Sequence, residues 1–133
     1  ALEPHRPDSG LFHDAARPFV PLAVIASVLI ALGESDGACA ALPLVDALWR
    51  AEDGQAETPV DRTGLWRAQT PQGFRFDKIL RAHRAHKGDA ADDVAVAREA
   101  GMSVRFVEGS EQSYKITTKA DLARALAETD STA

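Results

Sequence analysis

Gly10-Leu11-Phe12-His13, then residues 22–32, then Gly37-Ala38-Cys39-Ala40-Ala41-Leu42 make up the stretch that decides how this chain should fold. The first piece is strand-like and stops at the turn Asp14-Ala15-Ala16-Arg17-Pro18. After Pro21 comes a segment of helix length made of good helix formers, with Gly33 placed to stop it. The third piece is apolar without alternation, which fits a strand covered on both faces and equally a buried helical turn. The rhythm continues downstream. Helices are predicted over 76–86 and over 92–100, the second ended by Gly101, and an alternating strand over Ser103-Val104-Arg105-Phe106-Val107-Glu108. The last helix carries its own start signal, Thr118 at the N-cap with Asp121 three residues on. Strands alternating with helices of about ten residues predict βαβ units, hence an α/β fold with a mostly parallel sheet. Residues 43–61 depart from that pattern. Leu44-Val45-Asp46-Ala47-Leu48-Trp49-Arg50, the turn-rich Glu52-Asp53-Gly54-Gln55 and Glu57-Thr58-Pro59-Val60-Asp61 read as a hairpin standing off the main body.

Composition narrows the function classes. The 133 residues carry 15 Lys and Arg against 20 Asp and Glu, a net charge of −5, with 45% hydrophobic and 26% charged residues. That is the make-up of one globular domain, and its acidic balance argues against a nucleic-acid partner. The lone Cys39 cannot make an internal disulfide, which points to a reducing, cytoplasmic setting. Residues 19–32 fall short of the roughly 20 apolar residues a spanning helix needs, so no membrane partner is expected. The chain opens on Ala and not Met, as expected for a piece of something longer.

In an open parallel sheet, ligands sit outside the carboxyl ends of the strands, and the 14–17 turn occupies such a place. Asp14 can ligate Mg²⁺ or accept from a ribose hydroxyl, and the Arg17 guanidinium can hold a phosphate through two parallel hydrogen bonds. An ordinary ion pair would account for the same two residues. His13 is not expected to form a dyad with Asp14, since adjacent strand residues face opposite ways. Lys115, just before a capped helix start, could reach an anion or simply be solvated. His83 and His86 read as a solvated face, Asp92-Asp93 as a cap of the third helix, and Cys39 as inert core. Trp49 and Trp66, near the hairpin, suit an interface as well as a core. The nine glycines never come closer than four residues apart, so no Gly-rich phosphate loop exists here and a complete nucleotide site is not expected.

Several motifs occur together in a telling order: His13-Asp14-Ala15-Ala16-Arg17-Pro18-Phe19, Ala41-Leu42-Pro43-Leu44-Val45-Asp46, Val60-Asp61-Arg62-Thr63-Gly64-Leu65-Trp66-Arg67-Ala68-Gln69-Thr70-Pro71-Gln72, Glu108-Gly109-Ser110, and Lys115-Ile116-Thr117-Thr118-Lys119-Ala120-Asp121-Leu122. In their order and spacing the chain resembles the 2-C-methyl-D-erythritol 4-phosphate cytidylyltransferases of non-mevalonate isoprenoid synthesis, over residues 10–126 and over the later part of that domain only. The resemblance implies a Rossmann-like nucleotidyltransferase fold, here an incomplete domain filling residues 1–133, and a homodimer. It also implies Mg²⁺-dependent transfer of CMP from CTP to methylerythritol phosphate with release of pyrophosphate. The missing first part would hold the Gly-rich loop and the basic residues that grip CTP. Because the nucleophile is already an anionic phosphate, no general base is needed, and catalysis reduces to aligning two anions and spreading charge.

By the same resemblance, Asp14 and Ala15 contact the nucleotide, Asp14 being also the candidate metal ligand, and Asp14 and Arg17 face the sugar phosphate. Lys115 positions the attacking phosphate. Residues 43–61 would be the family's β-arm, which brings a Thr and an Arg to the partner's substrate. The family's Thr position reads Pro59 here and its Arg position Phe76, so Thr58 and Arg75, each one residue early, are the substitutes expected to fill those roles, Thr58 at the substrate and Arg75 in catalysis. The family's Thr-Asp before the third helix reads Ala91-Asp92. Ribitol 5-phosphate cytidylyltransferases share the Asp14, Pro71 and Lys115 motifs, whereas the wording at 14–17 and 64–68 favours the methylerythritol enzyme. Some family members are fused to a cyclodiphosphate synthase. A reading of another class is a non-catalytic half-domain that dimerises.

Overall fold

The computed structural model describes residues 3–132. Strand β1 (Ser9–Phe12) leads through helix α1 (Leu22–Ala31) into β2 (Gly37–Pro43). A hairpin of β3 (Leu48–Glu52) and β4 (Gln55–Val60) follows, then the long β5 (Trp66–Arg75), helices α2 (Phe76–Ala85) and α3 (Asp93–Glu99), β6 (Val104–Glu108) and α4 (Lys119–Thr132). The main sheet has the order β1-β5-β2-β6, and β3-β4 forms a sheet of its own. β2 and β6 are parallel, while β5 runs antiparallel to both β1 and β2. So β1, β2 and β6 point the same way, as the α/β reading expects, but the reversed β5 between β1 and β2 makes two of the three pairings antiparallel, and the sheet is mixed where a mostly parallel one is expected.

That reversed strand is the element the sequence hides. Pro71 in its middle has no N–H to give a ladder, and Gln69, Thr70 and Gln72 interrupt any apolar pattern, so residues 66–75 carry no strand signal and belong to no predicted element. The structure accommodates the proline by breaking pairing around it. Cys39 pairs with Gln72 but the next partners are Ala41 and Ala68, and the β1 ladder ends at Phe12 opposite Gln72. Thr70–Pro71, where the peptide is cis, therefore lies outside regular pairing on both sides.

Helices cover both faces. Val24, Val28, Ala31 and Leu32 of α1 and its end pack on Ala38 and Ala40 of β2. On the other face Phe74 packs with Ile79 and Ala82 of α2, Val96 and Ala97 of α3, and Met102. Small residues set the spacing: a Cβ on Gly37 would stand 2.6 Å from the Phe74 ring, and one on Gly73 2.8 Å from Val28. At the hairpin tip Asp53 (φ 48°) and Gly54 (φ 79°) make the two-residue, left-handed turn that matches strand twist.

Candidate active site

The three strands that share a direction end on one side of the sheet, and a functional segment leaves each end. After β1 comes the 14–17 turn, closed by the Arg17 N–H donating to the Asp14 carbonyl at 3.0 Å. The arm follows β2, and the loop carrying Lys115 follows β6. This is the strand end at which α/β sheets bind ligands.

Two of these segments are stitched together. The Ile116 N–H donates to the Ala16 carbonyl at 2.8 Å, and Arg17 Nη1 donates to the Ser113 carbonyl at 2.6 Å. Their side chains then converge: Asp14 Oδ2 lies 3.3 Å from Arg17 Nε and 3.5 Å from Lys115 Nζ. Arg17 is the inner member at 13% side-chain exposure, with Asp14 at 37% and Lys115 at 49%. One carboxylate between two cations leaves a net positive opening, suited to a phosphate dianion. Tyr114 steadies the loop from behind. Arg124 of α4 lies 3.9 Å over its ring, and its hydroxyl donates to Glu128 at 3.3 Å.

The turn is also held by residues that sequence reasoning passed over. The Asp14 N–H donates to Thr70 Oγ1 at 3.0 Å, the His13 ring meets the same hydroxyl through Nδ1 at 3.0 Å, and His13 Nε2 meets the Arg17 carbonyl at 2.9 Å. His13 is thus no partner of the Asp14 carboxylate, as expected. The only sequence signal for Thr70 was its place in the Thr70-Pro71-Gln72 motif.

Other expectations fare unevenly. Asp92 caps α3 through Oδ1, 2.9 Å from the Ala95 N–H, and its Oδ2 accepts from the buried Gln72 amide at 3.1 Å. His83 and His86 are not a bare solvated face: they join α2 to α3 by meeting Asp93 at 2.9 Å and Glu99 at 2.6 Å. Cys39 is fully buried, and that burial above all pushes its thiol up to about 12. Trp49 and Trp66 stay exposed, so neither belongs to the core, and Trp66 leans on Phe106 with ring centroids 5.7 Å apart.

Thr58 lies exposed on β4, opposite Arg50 in the hairpin register. Arg75 is not brought to the site. It is the last residue of β5, opposite Ser9 at the start of β1, and it lines a cavity of about 370 Å³ with Arg6, Asp8 and Asp36. Because β5 is antiparallel to β1 and β2, this is the sheet end opposite both Asp14 and the root of the arm. Within its own chain Arg75 thus stands apart from Asp14, Arg17 and Lys115, and the role expected of it is one in the partner's site.

No group of three His, Cys, Asp or Glu suited to a metal occurs among the described residues. Asp14 Oδ2 is already shared by two cations. The described residues therefore do not fit an Mg²⁺ held by three protein ligands. No described helix is long and apolar enough to cross a membrane.

Residues 1–130 match the family model described as 2-C-methyl-D-erythritol 4-phosphate cytidylyltransferase. A bifunctional IspD/IspF enzyme of Rhodobacter capsulatus is 60% identical over 86% of the chain, which covers 30% of that protein. A 2-C-methyl-D-erythritol 4-phosphate cytidylyltransferase of Cereibacter sphaeroides is 56% identical over 86% of the chain, covering 51% of its own length. The crystal structure of the Thermus thermophilus enzyme superposes on 96% of the chain with a TM-score of 0.86 at 37% identity, using 65% of that structure. The chain thus spans about half the length of the single-function curated relative. Family model, sequence relatives and solved fold agree, and the chain belongs to the 2-C-methyl-D-erythritol 4-phosphate cytidylyltransferase family.

Proposed function

We propose that this chain supplies the acceptor side of CMP transfer from CTP to 2-C-methyl-D-erythritol 4-phosphate. The observation that carries the reading is the convergence of Asp14, Arg17 and Lys115 from two separate loops into one positive opening. An oxygen of the sugar phosphate attacks the α-phosphorus of CTP, the bond to the β-phosphate bridging oxygen breaks, and pyrophosphate leaves with the electron pair. No proton has to be removed from the nucleophile. What the site must do is hold a dianion against an approaching polyanion and spread charge as the new bond forms. Arg17, anchored by its own carbonyl partner on Ser113, grips the sugar phosphate, and Lys115 follows the attacking oxygen. Asp14 keeps both cations apart and, with Ala15, faces the nucleotide. Mg²⁺ would travel with the triphosphate, since the described residues group no three ligands for it.

The preference for methylerythritol phosphate over ribitol phosphate follows from the 14–17 and 64–68 motifs and from the named relatives. The exposed hairpin supports a homodimer. A two-stranded sheet by itself is marginal in water, and Trp49 at 56% exposure and Val45 at 68% give a second copy apolar surface to cover. The deciding experiment uses this chain joined to the half of the Cereibacter sphaeroides relative that it does not match. Lys115→Ala should lower kcat roughly 10²–10³-fold with an unchanged melting temperature. Activity within threefold of the unsubstituted enzyme would make Lys115 an ordinary surface lysine.

A further inference from the structure

We propose that Gln69 is a positioning residue for Lys115, a role that rests on the transfer reading above. Gln69 sits on β5, 6% exposed, and does not reach the opening. Its amide pairs with both main-chain groups of one residue in the Lys115 loop: Nε2 donates to the Ser110 carbonyl at 2.9 Å and Oε1 accepts the Ser110 N–H at 3.1 Å. A glutamine side chain here does what a neighbouring strand would do. Of the residues of this length only Gln can, because Glu has no donor and Leu has neither donor nor acceptor.

Ser110 is where the loop takes its course. Its hydroxyl accepts the Gln112 N–H at 3.1 Å and its carbonyl also accepts the Ser113 N–H at 3.0 Å, closing the single helical turn Glu111–Ser113. Ser113 then receives Arg17, and Ile116 bonds to Ala16, so Lys115 lies between two fixed points. Gly109 makes the approach feasible. A Cβ there would stand 2.2 Å from Gln69 Oε1, while Gly109 itself is not in the left-handed region, so space beside Gln69 is what requires the glycine. An ammonium on a four-carbon stem is free to wander unless its backbone is held. Gln69 holds it from beneath, as Arg17 does from the side.

Amide exchange in the 133-residue chain tests the clamp. Gln69→Leu and Gly109→Ala should each speed exchange at Ser113 and Ile116 at least tenfold and leave the amides of the β2–β6 ladder within twofold. Added to Gln69→Ala, Gly109→Ala should speed exchange at Ser113 and Ile116 less than it does alone, because the Gln69 contact is then already gone and Ala41 N at 3.3 Å is the close neighbour that remains. In the joined enzyme Gln69→Leu should lower kcat at least tenfold with KM for CTP within twofold, and Gln69→Glu, which keeps the acceptor, should fall between. If Gln69→Leu does not fold, Gln69→Glu carries the same test. Unchanged exchange at Ser113 and Ile116 overturns the proposal, as does kcat within threefold in a joined enzyme that Lys115→Ala inactivates. Should Lys115→Ala itself leave transfer intact, the reading of the site fails and the positioning role falls with it.

Discussion

Lys115, Asp14 and Arg17 are by type ordinary surface residues, and an isolated ion pair of this sort contributes little to stability. What sets them apart is that two cations share one carboxylate oxygen at the end of three co-directed strands. Cys39 is the opposite case, a reactive residue type made inert by place. Its thiol lies in β2 with Sγ 3.6 Å from the Gln69 carbonyl, and its pKa near 12 means almost no thiolate at neutral pH. A disulfide reagent such as DTNB at pH 8 should therefore leave the native chain unmodified over an hour and react at once in denaturant. Fast native labelling would mean that β2 opens.

Three polar residues of β5 each tie down a different segment: Gln69 the Lys115 loop, Thr70 the 14–17 turn, and Gln72 the start of α3. The strand thus works as a spine whose side chains do the joining, which is why it could not look like an apolar core strand. Helix α4 is by contrast a local affair. Thr118 Oγ1 accepts the Asp121 N–H at 3.1 Å while Asp121 Oδ2 accepts the Thr118 N–H at 2.9 Å, a reciprocal cap. Thr118→Ala should cost about 1 kcal/mol in urea unfolding, and no measurable loss would show that the helix start contributes nothing. The Thr117 N–H first, then the Thr118 N–H and hydroxyl, hold the Asp121 carboxyl down at about 2. With the folded value below the unfolded one, the cap's contribution is complete above about pH 4 and is lost as pH falls through 2. An NMR titration of Asp121 with its midpoint near 4 would contradict this.

At the scale of the whole molecule, the site has one acidic and two basic groups and no Gly-rich phosphate loop. The 133-residue chain alone should transfer no CMP, and pyrophosphate release above a no-protein control would refute that. The exposed arm and the position of Arg75 make a second, asymmetric forecast. If partner cations reach the site, the exposed Arg50 and Arg62 of the arm and its root are candidates beside Arg75. In the joined enzyme, Lys115→Ala and an Arg50→Ala/Arg62→Ala double variant should each be inactive alone. Unfolded and refolded together they should regain roughly a quarter of full activity, since half the dimers are mixed and each has one intact site. Arg75→Ala tests the role expected of that residue: at least tenfold lower activity supports a part in the partner's site, and activity within threefold of the parent removes it. No recovery in the mixture would confine the site to one chain.

The elements that sequence alone determined are those whose signals are local. Helix α1 stops by Gly33, α3 starts at Asp92, α4 starts at Thr118, and the hairpin turns at Asp53-Gly54, because caps and turns are satisfied within a few residues of themselves. The motifs around Asp14 and Lys115 were legible for the same reason, and the family with them. Tertiary structure decided what depends on partners distant in the chain. Residues 66–75 become a strand only because β1 and β2 lie on either side, and their polar side chains make sense only against loops 41 and 56 residues away in sequence. Strand direction likewise placed Arg75 within its own chain: reversal of β5 puts the residue at the far end of the sheet from Asp14, which no local signal could have shown.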